Sequence, residues 1–369
     1  MNELREAIRR EGLRLGFSQV GFAPAESPAH SDAYLQWLDH GWHGEMAYMA
    51  REDAVRRRLE PGAALSGCRT VIMVSLRYGP SDQSAASAAE KGAPEVVAEG
   101  DASGFLRPIL AQYAQGRDYH SVFEERLSTL SEAIIGLHPT AAIKTYVDYG
   151  PVLERDHAQR AGLGWIGKNT MLIHPKLGSW LLLGELLTDL AIEPDDPFLP
   201  DHCGTCERCI EACPTGAIRG ARELDSRLCI SYLTIELRGS IPERLRPLIG
   251  QRVFGCDICQ DVCPWNTGPE PADTAPFAFG QPLAPTSMVL WAEQLIEMSD
   301  EEFARRYRDT ALIRPGRAGL LRNLCVGLGN SGLSAALGVL QRCVEDPSPV
   351  VAEHASWAVQ RIQKGGVSG

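Results

Sequence analysis

Seven cysteines in two short runs are the residues of this chain best suited to chemistry. The first run, CGTCERCIEACPTGAI (203–218), has C-x2-C-x2-C-x3-C-P spacing; the second, CDICQDVCP (256–264), supplies only Cys256, Cys259 and Cys263. In the first spacing, three thiolates hold one [4Fe–4S] cluster and the fourth reaches a second. Cys203, Cys206 and Cys209 are therefore expected to share a cluster with Cys263, while Cys213 joins Cys256 and Cys259. Two such clusters need eight thiolates, and the runs supply seven. Cys229, in RLCISYLTIE between the runs, is the nearest candidate for the eighth. Zinc and disulfides are the competing readings. Zinc prefers four ligands in paired knuckles, which does not call for a triplet with a crossing fourth cysteine. Cys68, Cys325 and Cys343 lie in apolar surroundings, where cysteine serves as a small buried residue.

The elements around these runs must come from a chain of 369 residues, 44% of them hydrophobic, enough for more than one core. No apolar run reaches the length that spans a bilayer. The start, MNELREAIRREGLRLGF, puts Leu4, Ile8 and Leu15 at roughly helical spacing and lacks the apolar stretch of a signal peptide. A cytoplasmic location is expected, and cysteines crowded at C-x2-C spacing there favour metal over disulfides. The net charge of −11 argues against a whole surface that clamps nucleic acid, but allows a local basic face.

The pattern divides the chain into three regions. Residues 1–195 mix helices with strands and read as an α/β (α+β) domain. RTVIMVSLRY (69–78) is expected as a buried strand, AAIKTYVDYGP (141–151) as a strand ending in a turn, and ERDHAQRAGLG as helical. MLIHPKLGSWLLLGELLTDL (171–190) reads as a hairpin of two strands around Pro175–Gly178. Within this region 79–104, rich in Ala, Ser, Gly and acids, reads as a mobile surface insertion. Residues 196–267 form a bacterial two-[4Fe–4S] ferredoxin-like domain. A Pro-rich connector (266–285) leads to α-helical residues 286–369, whose end resembles a HEAT-like pair that must pack on what precedes it.

At this point the sequence resembles a known family. YAQGRDYH (113–120), VDYGPVLER (147–155), AGLGWIGKNTMLI (161–173), GELLTDL (184–190), the cysteine runs and CISYLTIE (229–236) together look like the epoxyqueuosine reductases. The resemblance covers nearly the whole chain. It implies a cobalamin-dependent oxidoreductase that reduces epoxyqueuosine to queuosine at the wobble position of tRNA, with electrons relayed by two clusters. Cobalamin follows from the resemblance alone. The D-x-H-x-x-G signature of other cobalamin proteins is not met, since Ser121, Val122 and Phe123 follow His120, and the family binds the cofactor without a histidine on cobalt.

The resemblance also assigns roles. Asp148 matches the proton donor and lies beside the cofactor. Asp118 and His120 are candidates for substrate contact or proton supply. Arg58, Lys168, Asn169, Ser231 and Tyr232 fall where the family approaches the cofactor. Each has a plainer reading as a turn, a structural pair or a solvated basic run. For tRNA, arginines are dense at 219–227, 238–252 and 305–322, and Arg317 and Arg322 are expected on the surface that holds the anticodon arm. The chain is expected to be a monomer supplied by an external low-potential flavodoxin- or ferredoxin-like donor. Two alternatives belong to other classes: a reductive dehalogenase-like enzyme for a small molecule, and a non-catalytic electron carrier. The first usually carries a twin-arginine signal, which the N-terminal residues lack; the second leaves Asp148 and the large N-terminal region without a purpose.

Overall fold

A computed structural model describes residues 2–79, 108–268, 277 and 287–365. The insertion at 79–104 (but for Gly79) and most of the 266–285 connector lie outside the described residues. The N-terminal region is built on a four-stranded sheet. Its strands are β1 (Gln19–Pro24), β2 (Thr70–Arg77), β3 (Ile143–Tyr146) and β4 (Leu181–Thr188), in the order β1-β2-β4-β3. Every neighbouring pair is antiparallel. Strand β2 is apolar nearly throughout because both sheet faces are covered. Ile72, Val74 and Leu76 meet helices α1 (Asn2–Arg14) and α2 (Tyr119–Leu137) through Ile8, Phe123, Leu127 and Leu130. Val71 and Met73 face the other way, toward Ala158 and Ala161 in and just after α3 (Glu154–Arg160). Each such fully buried side chain contributes about 1.5–3 kcal/mol.

Three sequence expectations hold in position: β2, β3 with its turn, and α3. The hairpin at 171–190 is different. Leu172–Ile173 pairs with Trp165–Ile166, and only the bridge between His174 and Gly178 closes the turn that leads to β4. Strand β1 went unseen because Gly21 and Pro24 break its apolar pattern. Gly21 is required there, since a Cβ would lie 2.2 Å from the carbonyl oxygen of Ala161.

The cysteine segment folds as short turns and helices, including α4 (Ile230–Ile235) directly after Cys229. The C-terminal helices include α5 (Gly316–Ser331) and α6 (Pro349–Gly365). They share one core with Ile235, Val253 and Phe254 of the cysteine segment. The cluster-bearing region is thus fixed from the C-terminal side by apolar burial. Among the described residues no helix is long and apolar enough to cross a membrane.

Candidate active site and iron–sulfur centres

None of the cysteines is in a disulfide, and the thiols interact in two groups that also touch electrostatically, through Cys259 and Cys209. Burial pushes Cys263 up to about 11, with Cys203, Cys209 and Cys206 adding to it. Burial likewise raises Cys209, next to Cys203 and Cys206. In the second group burial takes Cys256 up to about 12, helped by Cys229. Cys259 is raised by burial and then by Cys229 and Cys256, and buried Cys229 feels Cys213. Cys229 thus has Cys213, Cys256 and Cys259 within electrostatic reach, and Cys259 also feels Cys209 of the other run. Thiols this close oppose one another's ionisation, and the cationic iron of a cluster relieves that cost. The donor set therefore fits two [4Fe–4S] clusters.

Asp148 sits in the turn after β3 with φ 55°, a left-handed conformation that aspartate tolerates better than most residues. Such strain costs on the order of 1–3 kcal/mol and needs outside support. Three groups provide it. The Asp148 backbone N–H donates to Glu154 Oε1 at 2.6 Å, and Tyr119 Oη donates to Asp148 Oδ2 at 2.8 Å. His120 Nε2 stands 3.8 Å from the same oxygen.

The Asp148 side chain is 65% exposed. Desolvation opposes its ionisation, but His120 and Tyr119 outweigh that, and the carboxyl is held below its usual range. The reverse holds for His120. Burial alone would lower it, but Asp118 and Asp148 push it up to about 9. At neutral pH the pair is an imidazolium facing a carboxylate.

Asp118 turns out to have a local job. It caps α2 by accepting from the His120 backbone N–H at 3.0 Å. It also meets His120 Nδ1 at 2.7 Å. It therefore orients the imidazole, and the proposed direct substrate contact gives way to that role. Both ring nitrogens of His120 face carboxylates, which suits a cofactor bound without a histidine on the metal.

Asp148 reaches electrostatically to Tyr48 and Arg314. Arg314 makes a bidentate pair with Glu236 at 2.9 Å for both bonds and lies 5.8 Å over the Tyr48 ring. Glu236 closes the C-terminal end of α4. The carboxylate thus lies within electrostatic reach of the Arg314–Glu236 pair that closes α4. Ser231 and Tyr232 begin that helix, and Tyr232 Oη accepts from the Glu45 backbone N–H at 2.7 Å.

The other expected site residues have different surroundings. Arg58 is buried, donating to Ala54 O at 3.2 Å and contacting Met49 Sδ. Lys168 pairs with Glu207 at 3.7 Å. Asn169 is buried and donates to Cys259 O at 3.3 Å. Lys168 and Asn169, in the turn between Trp165–Ile166 and Leu172–Ile173, therefore tie this part of the N-terminal region to the cluster segment.

Arg317 and Arg322 correct the expected tRNA surface. Arg317 is buried against Leu295 O and Asp346, each at 3.0 Å. Arg322 is 0% exposed and donates at 2.8 Å to Leu233 O, Leu237 O and Gly239 O. Its guanidinium satisfies the carbonyls at the end of α4, where an unpaired buried group would be costly. Spacing alone shows arginine density but not which way each side chain points. Arg305, Arg306, Arg308 and Arg314 remain exposed.

Two residues of the site escaped the sequence reading. Glu154 holds the Asp148 backbone, and Glu185, fully buried on β4, has neither carboxyl oxygen near a hydrogen-bond donor among the described residues. A lone acid inside the apolar strand LLLGELLT is the signal that could have found the second.

Cysteines spaced for two clusters, in one fold with a proton-holding aspartate–histidine pair, suit a redox enzyme. Residues 202–266 match the family model "4Fe-4S double cluster binding domain" and residues 58–149 the model "Epoxyqueuosine reductase QueG, DUF1730". The epoxyqueuosine reductase of Pseudomonas aeruginosa is 41% identical, over 97% of this chain and 94% of the relative. The chain belongs to the epoxyqueuosine reductase family, cobalamin-dependent oxidoreductases with two [4Fe–4S] clusters. A crystal structure of epoxyqueuosine reductase with an epoxyqueuosine-modified tRNA-Tyr stem loop is similar at TM-score 0.81 and 28% identity, covering 100% of this chain and 95% of that one. A Bacillus subtilis epoxyqueuosine reductase, described with its catalytic aspartate loop swung out of the active site, matches at TM-score 0.80 and 28% identity, over 100% of this chain and 95% of that one.

Proposed function

We propose that this chain reduces the epoxide of epoxyqueuosine in the anticodon loop of tRNA, with Asp148 delivering the proton to the departing oxygen. The observation that carries this reading is Asp148 itself, held in a strained turn between Tyr119, Glu154 and His120. Removing the oxygen as water takes two electrons and two protons. Cobalamin, when bound in the cleft, supplies the electrons at the substrate, since cofactors carry such hard steps. Ser231 and Tyr232 on one wall and Asp148 on the other would hold it. Asp148 passes on a proton drawn from the His120 imidazolium, so the aspartate acts without having to rest in its neutral form.

Electrons enter at the Cys203/Cys206/Cys209/Cys263 cluster from an external low-potential donor of flavodoxin or ferredoxin type. They leave through the cluster that includes Cys229, next to the cleft. We read residues 1–195 as the cobalamin and substrate domain, 196–267 as the ferredoxin-like domain and 286–369 as a HEAT-like region. The enzyme works as a cytoplasmic monomer.

The tRNA face shifts from the buried arginines to a different basic feature. A cavity of about 630 Å³ is lined by Trp42, Arg219, Arg227 and Arg244. Arg227 is paired with Asp225 at 2.9 Å, whereas Arg219 and Arg244 have no ion-pair partner among the described residues. Unpaired guanidinium groups beside an indole suit phosphates and a stacked base. The double change Arg219→Glu and Arg244→Glu is expected to weaken stem-loop binding at least about tenfold and to lower the salt slope by roughly 1–2. Cluster content should stay the same. An unchanged slope in a binding titration would move the RNA elsewhere.

A further inference from the structure

We infer that Glu154 and Glu185 form a carboxyl pair sharing one proton beneath the Asp148 turn, and that this proton keeps the turn in its working conformation. The inference rests on the role given to Asp148 above and extends it to two positioning residues that touch neither substrate nor cofactor.

The geometry comes from three elements. Glu154 opens α3 and uses Oε1 to accept the Asp148 backbone N–H at 2.6 Å. Glu185 lies on β4 opposite Met73 on one side and Tyr146 on the other. Its Oε1 is so close under the turn that a Cβ on Gly150 would come within 3.1 Å of it. Glu185 is fully buried and neither oxygen meets a donor among the described residues. Its carboxyl interacts with that of Glu154, and two carboxyls in contact attract only when one of them carries a proton. With the proton present, the Glu185–Glu154 hydrogen bond fixes the Glu154 side chain, which in turn fixes Asp148. With both ionised, their repulsion drives Glu154 away from the Asp148 N–H, and the left-handed turn loses a support.

The surroundings favour retention of the proton near neutrality. Burial and then the Asp148 charge push Glu154 up to about 7. Burial, then Glu154, and further Asp148, raise Glu185 well above the ordinary glutamate range. Arg155 on α3 acts the other way, favouring the charged form of Glu154. From the turn, Asp148 and Tyr149 face the pair; from β3, Tyr146 does. From α2, His120 and Tyr119 act on Asp148, and Glu124 ties down the Tyr149 hydroxyl at 2.8 Å. The sign follows from proton binding. The folded state keeps a proton that the unfolded chain releases; the step near 7 takes the pair from two protons to one, and the pair's hold is lost as pH rises further and the last proton leaves.

Hydrogen exchange of the 147–153 segment in the reconstituted full-length protein tests this, with rates corrected for intrinsic pH dependence, from about pH 6 to about pH 9.5. In the unaltered protein, protection is expected to fall about tenfold or more as the pair loses its last proton, in addition to any change due to His120 near 9. Glu185→Gln and Glu154→Gln leave a pair that cannot carry two charges and that keeps a hydrogen bond across it, so the pair's fall should vanish while the one due to His120 remains. Glu154→Ala should lose protection at every pH, and Glu154→Gln should restore it. Turnover per bound substrate should follow the same order, with KM for the stem loop unaffected. Equal protection in Glu154→Ala, or a pH-dependent fall unchanged in both glutamine variants, overturns the inference. If Glu154→Ala fails to fold, the glutamine variants still decide it. If no version converts epoxyqueuosine, the functional reading falls while the exchange data still judge the pair.

Discussion

Asp148→Asn is expected to lower turnover by about 10²–10⁴-fold while both clusters and cofactor binding remain. Asparagine enters the left-handed region as readily as aspartate, so the turn at φ 55° should persist. The amide can still accept from Tyr119, but it cannot carry a proton from His120 to the departing oxygen. The variant also alters His120. In the native protein Asp118 and Asp148 together offset burial and raise the imidazole to about 9. Its charged form is therefore present at neutral pH, and the activity that depends on it is lost as pH rises through about 9. The stability it contributes runs the same way, complete below its ordinary value and lost across that alkaline interval. Removing one carboxylate must move this limb to lower pH. Single-turnover rates against pH, with iron and cofactor measured in the same samples, check both effects. Undiminished turnover would remove Asp148 as the acid.

Cys229→Ser is expected to cost about half of the bound iron and essentially all turnover by natural electron donors, while stem-loop binding survives. The reason is positional. Cys229 is the residue just before α4, so on the proposed assignment one thiolate would both complete the second cluster and anchor that helix. The first cluster draws on Cys203, Cys206, Cys209 and Cys263 and should keep its signal. Iron analysis with electron paramagnetic resonance of the reduced protein separates the two clusters. Full iron content with two intact signals would place the eighth ligand elsewhere.

Legibility in the sequence followed how local each feature is. The cluster cysteines were legible because their spacing encodes a cross-over between two clusters. Strand β2 was visible because burial on both faces leaves an uninterrupted apolar run. The proton site was legible only through family resemblance, since an aspartate before Gly150-Pro151 reads equally well as a solvated turn. Arg317 and Arg322 show the opposite limit. Charge density gave them a surface role, whereas tertiary packing turned their side chains inward onto Asp346 and the carbonyls of α4. Glu185 was hidden for a related reason: its partner Glu154 is 31 residues away along the sequence, and only the sheet brings the two carboxyls together.

The central claim is that one chain carries electrons from its clusters to an epoxide held beside Asp148. The measurement that tests it most directly is conversion of epoxyqueuosine-containing tRNA by anaerobically reconstituted protein, loaded with iron, sulfide and cobalamin and supplied with a chemical reductant. Nucleosides from the digested tRNA are then identified by mass spectrometry. The account predicts loss of one oxygen atom to give queuosine, dependent on cobalamin and abolished in Cys229→Ser. Fully loaded protein that binds the tRNA yet leaves the epoxide intact would contradict it.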